Sequence, residues 1–105
     1  MAVVSMMRVQ GDPEQLAAGL REHVIPVAER LAEKHGGLLN IVARTDEGIL
    51  MVNLWENEAG RQAMAEEPEI QNALRAAGLP APGFEGYEVL AMRVTERAVT
   101  PTTSS

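Results

Sequence analysis

Residues 38 to 58, LLNIVARTDEGILMVNLWENE, decide the fold of this 105-residue chain. Two stretches of alternating residues flank the turn sequence Asp46-Glu47-Gly48 and predict a β-hairpin. On each stretch, one side is purely aliphatic. The other side is apolar but also carries Asn40, Arg44, Asn53 and Trp55. The hairpin therefore predicts a sheet with one apolar face and one semi-polar face.

A strong helix-start signal follows the β-like residues 2 to 9. Asp12 is a typical helix cap, and Pro13 suits the first helical position. Apolar residues then recur at helical spacing up to about His35, where two glycines end the segment. Pro26 lies inside this helix and removes one backbone hydrogen bond, so we expect a kink or a split near Ile25.

Two short helices and one strand complete the chain after the hairpin. Asn57 caps a helix over about 58 to 66, and Pro68 begins another that Gly78 closes. Residues 79 to 83, LPAPG, are a turn-rich connector, and residues 84 to 95 have the pattern of a last strand. We expect one domain over residues 1 to 96 and a disordered tail over residues 97 to 105.

The resulting order, β-α-β-β-α-β, predicts a ferredoxin-like α+β fold: a four-stranded antiparallel sheet with its helices on one face. The side assigned to the helices is the aliphatic one: Val4, Met6, Leu39, Ile41, Leu50, Val52, Leu54, Leu90 and Met92. The opposite side would carry Val3, Met7, Leu38, Val42, Ile49, Met51, Trp55, Tyr87 and Val89. That surface is too apolar to face water, so we expect a second copy to cover it and form a dimeric α/β barrel enclosing a chamber.

Composition excludes several classes of function. The formal net charge of −6, with no basic stripe, argues against nucleic acid or an anionic membrane as a partner. The chain has no cysteine, and its two distant histidines form no ligand cluster, so we expect neither a metal nor another cofactor. No apolar run approaches the length of a membrane span, and the first residues make a poor signal peptide. These features favour a cytoplasmic protein.

Three segments resemble the antibiotic biosynthesis monooxygenase-like branch of the dimeric α/β-barrel superfamily, over about residues 2 to 95. They are HGGLLNIVARTDE (35 to 47), MVNLWENEAG (51 to 60) and AEEPEIQNAL (65 to 74). Members of that branch include cofactor-independent oxygenases of anthrone-like aromatic polyketides. The resemblance implies a pocket lined by Asn53 and Trp55. It also places Met64 where members often carry a histidine, and Leu74 where the related haem-degrading enzymes carry their haem ligand, so it argues against haem chemistry.

Four residues are candidates for catalysis. Trp55 and Asn53 lie two apart on one strand face, as a substrate platform and a hydrogen-bond donor, although dimer packing would explain both. Tyr87 is a second possible donor, or an ordinary interface tyrosine. His23 is a possible base beside the apolar stripe of the first helix, or a boundary histidine on a solvated surface.

Six further residues are candidates for substrate binding because alternation places them toward the same chamber: Ser5, Met7, Asn40, Arg44, Met51 and Arg93. Arg44 and Arg93 would hold an anionic substrate, or else form ion pairs at the rim as most surface arginines do.

The sequence thus favours a homodimeric, cofactor-independent monooxygenase that acts on a small aromatic or polyketide-like ligand in a pocket between sheet and helices. A non-catalytic ligand-binding or stress-associated dimer is one alternative, and a cyclase or isomerase that uses the same pocket is another, since a fold does not fix its chemistry.

Overall fold

The structure, a computed structural model, describes residues 1 to 80 and 86 to 95. Its strands are β1 (Val3–Gln10), β2 (Gly37–Arg44), β3 (Gly48–Trp55) and β4 (Gly86–Glu88). Its α-helices are α1 (Pro13–Gly19), α2 (Ile25–His35), α3 (Glu58–Ala65) and α4 (Pro68–Ala76). The strands form one antiparallel sheet in the order β2-β3-β1-β4, which confirms the predicted ferredoxin-like topology.

The first helix begins and breaks close to where the sequence predicts. Asp12 caps α1 by accepting a hydrogen bond from the backbone N–H of Glu14, and Pro13 occupies the first turn. A π-helical segment, Leu20–Val24, then separates α1 from α2, and Pro26 lies in the first turn of α2. Because Pro26 donates no backbone hydrogen bond, the helix changes its pairing at this place rather than continuing as one regular α-helix.

The helices cover the opposite side of the sheet from the one we expected. In β1 the buried residues are Val3, Ser5 and Val9, whereas Met6 is 43% exposed. In β3, Ile49, Met51 and Trp55 are buried in the core with residues of all the helical segments after α1. The predicted assignment of faces was therefore wrong, because both faces are apolar and alternation alone cannot tell which of them meets the helices.

The uncovered face of the sheet consists of rows of mostly aliphatic side chains that cross several strands. One row pairs Tyr87, Val4, Leu54 and Leu39 across all four strands. The next row pairs Met6, Val52 and Ile41, and Ile41 is 48% exposed. We call these two rows the uncovered face. No helix of the described chain packs on it.

The last strand ends earlier than predicted. Among residues 86 to 95, Gly86–Glu88 pair with β1, and one further backbone bond joins Val89 to Ala2. Residues 89 to 95 form no ladder, and Leu90 is 90% exposed rather than packed under helices. The predicted start of this strand at residue 84, part of the 79 to 83 connector and the predicted tail over 97 to 105 lie outside the described residues.

Ion pairs join α2 to the start of α4 on the outside of the molecule. The His35 ring nitrogen Nε2 lies 2.8 Å from the Glu67 carboxylate, and Lys34 Nζ lies 3.4 Å from the same oxygen. One turn before Lys34 in α2, Arg30 pairs with Glu69 of α4. The hydrogen bond with His35, and then the charge of Lys34, hold the pKa of Glu67 below its ordinary value of 4.5.

This arrangement predicts acid-sensitive stability. A carboxyl whose pKa is lowered by folding stabilises the protein above its unfolded pKa, and that contribution is lost as the pH falls through the folded value. We therefore expect Glu67→Gln to lower the melting temperature at pH 7 and to have a much smaller effect at pH 3. Thermal unfolding followed by circular dichroism measures both, with the exposed neighbour variant Glu66→Gln as the control. Equal losses at the two pH values would contradict this role.

Within residues 1 to 80 and 86 to 95, every helix is too short or too polar to span a lipid bilayer.

Candidate functional site

A small cavity of about 90 Å³ lies between the helix-covered face of the sheet and the helices. Its walls come from the π-helical segment, α2, α3 and α4, and its floor from β1, β2 and β3. The lining is almost entirely apolar: Leu20, Val24, Ile25, Ala28, Val42, Met51, Trp55, Met64, Ala65, Ile70 and Leu74. Ser5, Asn40, Asn53 and Arg61 add the polar groups.

Three of the polar residues form a row across the floor. Asn40 of β2 is paired in register with Asn53 of β3, which is paired with Ser5 of β1, and Ser5 is paired with Gly86 of β4. The Asn40 side-chain amide donates to the Asn53 side-chain oxygen at 2.5 Å. In this contact the Asn53 oxygen is the acceptor, so the amide N–H groups of Asn53 can donate to a further partner. We call Asn40, Asn53 and Ser5 the polar row.

Trp55 and Ser5 make a buried hydrogen bond at the inner end of the row. The indole Nε1 donates to Ser5 Oγ at 3.1 Å, and the two residues are 8% and 2% exposed. Since the Ser5 oxygen accepts this bond, its own hydroxyl hydrogen remains a donor for a second partner. The tryptophan thus fixes the position of the serine and presents its ring to the cavity.

Arg61 brings a charge to the cavity wall from α3. Its side chain is only 11% exposed, and its Nε donates to Glu58 Oε1 at 2.6 Å while Nη2 pairs with the same carboxylate oxygen. The hydrogen bond from Arg61 lowers the pKa of the Glu58 carboxyl. Both side chains lie against Gly86, where a Cβ atom would come within 2.8 Å of Arg61 Nε and of Glu58 Oε2. The absence of a side chain at Gly86 allows the ion pair to lie at the end of the polar row.

A larger groove of about 630 Å³ opens beside the cavity, between α2 and β2. We call it the outer groove. Its outer walls include Glu29, Glu33, Leu38 and Leu39. The residues that it shares with the cavity are Ile25, Ala28, Asn40, Asn53, Trp55 and Met64. Asn40 and Asn53 of the polar row therefore lie where the two spaces meet, within reach of a ligand that occupies both.

Five of the predicted site residues line the cavity, although on the helix side of the sheet rather than under a second subunit: Ser5, Asn40, Met51, Asn53 and Trp55. Met7 lies on the same side and packs against the core without lining the cavity. The position of these residues is now clear, and their roles stay predictions.

The structure does not bring the other four candidates to the cavity. Tyr87 is paired with Val4 on the uncovered face, so it lies on the side without helices, as predicted, but not on the same side as Trp55, where the prediction was wrong. His23 lies on the π-helical segment with its side chain 37% exposed and 3.7 Å from Glu22. Arg44 pairs with Glu14 of α1, and Arg93 is exposed beyond the end of β4. The rim ion pair weighed for Arg44 is thus the arrangement observed, with Glu14 as the partner.

Sequence reasoning missed Arg61 altogether. Its spacing carried a signal, because Arg61, Met64 and Ala65 lie three and four residues apart and therefore share one helix face. An arginine on the apolar stripe of a short helix is a candidate for an internal ion pair or for ligand binding. Within residues 1 to 80 and 86 to 95, no group of three or more His, Asp and Glu side chains is placed to hold a metal ion.

The geometry defines a ferredoxin-like α+β domain with an internal apolar cavity and a polar row on its floor. No protein-family model and no curated protein matches the sequence. Solved structures do match. A candidate antibiotic biosynthesis monooxygenase from Deinococcus radiodurans is 20% identical, with a TM-score of 0.62 over 90% of this chain and 99% of that one. Another, from Caulobacter crescentus, is 21% identical, with a TM-score of 0.59 over 86% and 89%.

A third similar structure is SnoaB from Streptomyces nogalater, a cofactor-independent oxygenase. It is 14% identical, with a TM-score of 0.57 over 91% of this chain and 96% of that one. At these identities the likeness establishes the fold. This chain has the fold of the antibiotic biosynthesis monooxygenase-like proteins, as the three sequence segments predicted.

Proposed function

We propose that this protein is a cofactor-independent monooxygenase that acts on a small aromatic, polyketide-type substrate bound in the cavity and the outer groove. The observation that carries the proposal is the polar row, which places hydrogen-bond donors at one level of an otherwise apolar chamber. A chamber of this kind suits flat, apolar rings whose oxygen atoms lie along one edge. The likeness to SnoaB supports the same class of reaction.

The reaction needs no group that the protein would have to hold permanently. An anthrone-like substrate has a CH₂ carbon next to its aromatic rings and a carbonyl group across the central ring. Loss of one proton from this carbon gives an electron-rich anion, which reacts with O₂. The carbon loses both hydrogens and gains one oxygen atom as a carbonyl, and the second oxygen atom leaves as water. The substrate supplies the electrons, and the protein supplies orientation and charge stabilisation.

The residues divide this work by their position. The apolar walls hold the rings, and Trp55 offers a flat surface to them. Asn53 and Ser5 donate hydrogen bonds to the substrate oxygen on which negative charge develops. The cavity of about 90 Å³ is smaller than the roughly 150 Å³ that accommodates a benzene ring in other proteins, so it receives only the reacting edge. The remaining rings occupy the outer groove.

We also propose that the protein is a homodimer in which a second copy covers the uncovered face. Two adjacent rows of exposed or half-buried aliphatic side chains are more apolar than a monomer surface usually allows. A self-complementary flat sheet is a common isologous interface. The cytoplasmic location expected from the sequence stays a prediction.

A specific observation favours one alternative, a non-catalytic ligand-binding protein. The cavity lining contains no histidine and no carboxylate among the described residues, so no side chain there is an evident base. A binding protein needs no base, whereas an oxygenase needs a means to remove the substrate proton. A cyclase or isomerase in the same cavity would face the same requirement.

Asn53→Ala separates the enzyme from the binding protein. We expect the turnover number to fall by about a hundredfold or more, because a donor to the developing negative charge is lost, while ligand binding changes little. Oxygen consumption with a panel of anthrones and hydroquinones measures turnover, and fluorescence quenching of Trp55 measures binding. The control is Asn72→Ala, at an exposed position of α4. If the wild-type protein binds the panel but consumes no oxygen, the binding protein is the better description.

A further inference from the structure

We propose that Ala28 and Met64 set the width of a narrow passage between the outer groove and the cavity, and that this passage admits a ligand only by a thin, flat leading end. The inference rests on the proposed function, in which one ligand occupies both spaces. It assigns the residues that determine the shape of that ligand, whatever polar groups the ligand carries.

The passage is formed by the residues that line both spaces. Among the described residues these are Ile25, Ala28, Asn40, Asn53, Trp55 and Met64, which we call the neck. Ile25 and Ala28 come from α2 and Met64 from α3, whereas the other three come from β2 and β3. A ligand that extends from the groove into the cavity therefore passes between these two helices and the sheet.

The neck lies partway along a path that follows α2. At the outer end, Ala32 and Glu33 line the groove but not the cavity. At the inner end, Leu20 and Val24 line the cavity but not the groove, and Ala28 lies between the two ends. Since each helical residue advances by about 1.5 Å, the path from Glu33 to Leu20 is about 20 Å long. A ligand that fills both spaces is thus elongated and lies along α2.

Hydrogen bonds and packing hold the sheet side of the neck in place. The Asn40 amide donates to the Asn53 oxygen at 2.5 Å, and the Trp55 indole donates to Ser5 Oγ at 3.1 Å. Trp55 is also buried in the central core, so its ring cannot move aside without the loss of these contacts. Adjustment of the neck must therefore come from the helix side.

On the helix side, Ala28 and Met64 act in different ways. Ala28 has the smallest side chain of the neck and packs against the core, so a larger side chain there would narrow the opening. Met64 is 7% exposed, and its unbranched thioether side chain can change shape to fit the edge of a ligand. Ala28 thus limits the thickness of the leading end, and Met64 adapts to its outline.

Ala28→Leu tests the passage, because it adds three heavy atoms to the neck. The probe is 2-hydroxyanthraquinone, a flat three-ring compound whose association is followed by stopped-flow quenching of the fluorescence of Trp55, the single tryptophan. We expect its association rate constant and its affinity to fall by about tenfold or more. Ala18→Leu, the same change at an exposed position of α1, should leave both within about twofold of wild type.

A double variant shows whether the two side chains face the same opening. Met64→Ala removes three heavy atoms, as many as Ala28→Leu adds, so the combination should regain most of the affinity lost in Ala28→Leu. If the Met64→Ala variants do not fold, Ala28→Val and Ala28→Gly replace them, with slower and faster association than wild type, respectively. In the wild-type protein, 1-adamantanol should not displace the probe, because its compact cage is thicker than a flat ring.

The inference is overturned if Ala28→Leu leaves binding of 2-hydroxyanthraquinone unchanged, if the double variant binds no better than Ala28→Leu, or if 1-adamantanol displaces the probe. In the replacement pair, equal association rates for Ala28→Val and Ala28→Gly would overturn it. These measurements involve no turnover, so they are independent of the proposed reaction. A neck that controls binding in a protein that never consumes oxygen would refute the monooxygenase and keep the passage. Oxygen consumption that survives Ala28→Leu unchanged would do the reverse.

Discussion

Replacement of Trp55 with alanine should lower the free energy of unfolding by about 3 to 5 kcal/mol. Trp55 is 8% exposed at the end of β3 and packs in the central core. Its removal deletes a large apolar surface, enlarges the existing cavity and takes away the N–H that bonds to Ser5. The fully buried serine oxygen then lacks its donor, which adds to the cost of the lost packing.

Trp55→Phe separates these two contributions. Phenylalanine keeps most of the ring packing but has no N–H, so we expect a loss of about 1 to 2 kcal/mol. In the double variant with Ser5→Ala, part of this loss should be recovered, since the unpaired oxygen is gone. Urea unfolding followed by circular dichroism gives each value, because Trp55 is the single tryptophan and its fluorescence is lost. A loss below about 1 kcal/mol for Trp55→Ala would show that the indole does not support the core.

The order of elements could be predicted from local signals alone. Asp12, Pro13, Asn57 and Pro68 each act within one turn of chain, so the caps and helix starts appear in the structure where the sequence places them. The break near Pro26 follows from one missing N–H. These features depend only on neighbouring residues, and no knowledge of the tertiary structure is needed to interpret them.

The side of the sheet that the helices cover could not be predicted in this way. Asn53 and Trp55 were assigned to the exposed side because polar residues usually avoid the core. In the structure Trp55 and Ser5 satisfy each other, and Asn40 satisfies Asn53, so polar groups are tolerated under the helices. The purely aliphatic face of the sheet was predicted to pack under the helices, but in the structure it is the uncovered face. Because the two faces are similarly apolar, the face that the helices cover is decided by contacts between residues distant in sequence.

In the candidate site too, the features set by neighbouring residues could be predicted, and those set by contacts between distant residues could not. Asn40, Asn53 and Trp55 were correctly placed on one side, because alternation within a hairpin fixes their relative direction. Tyr87 was wrongly placed on the same side as Trp55, because its side depends on the register between β4 and β1, which are about 80 residues apart and share a ladder of three pairs within the described residues. Arg61 reaches the cavity because α3 packs on the sheet, and the sequence patterns of the strands do not predict how α3 packs.

The reversal of the two faces has a consequence for assembly. The cavity and the uncovered face lie on opposite sides of one sheet, so a second copy on the uncovered face would not form the roof of the cavity. Ligand binding and dimerisation are then separable, whereas a chamber enclosed by two subunits would lose both together. A substitution on the uncovered face away from Leu39 and Leu54, which also line the outer groove, should therefore change the oligomeric state and leave the ligand site of each subunit intact.

Met6→Lys is the substitution that tests this separation. Met6 lies in the middle strand β1 beside Val52, and an interface there would bury two unpaired ammonium groups, one from each subunit. We expect dimerisation to weaken by about a hundredfold or more, while the monomer keeps its fold because the side chain is already 43% exposed. Gln10→Lys adds the same charge at the end of the same strand and should leave the dimer unchanged.

Sedimentation velocity at micromolar protein concentration measures the mass of the assembly, and binding of 2-hydroxyanthraquinone shows whether the cavity is intact. A wild-type protein that sediments as a monomer would refute the dimer, and loss of probe binding in a monomeric Met6→Lys would show that the partner helps to form the site.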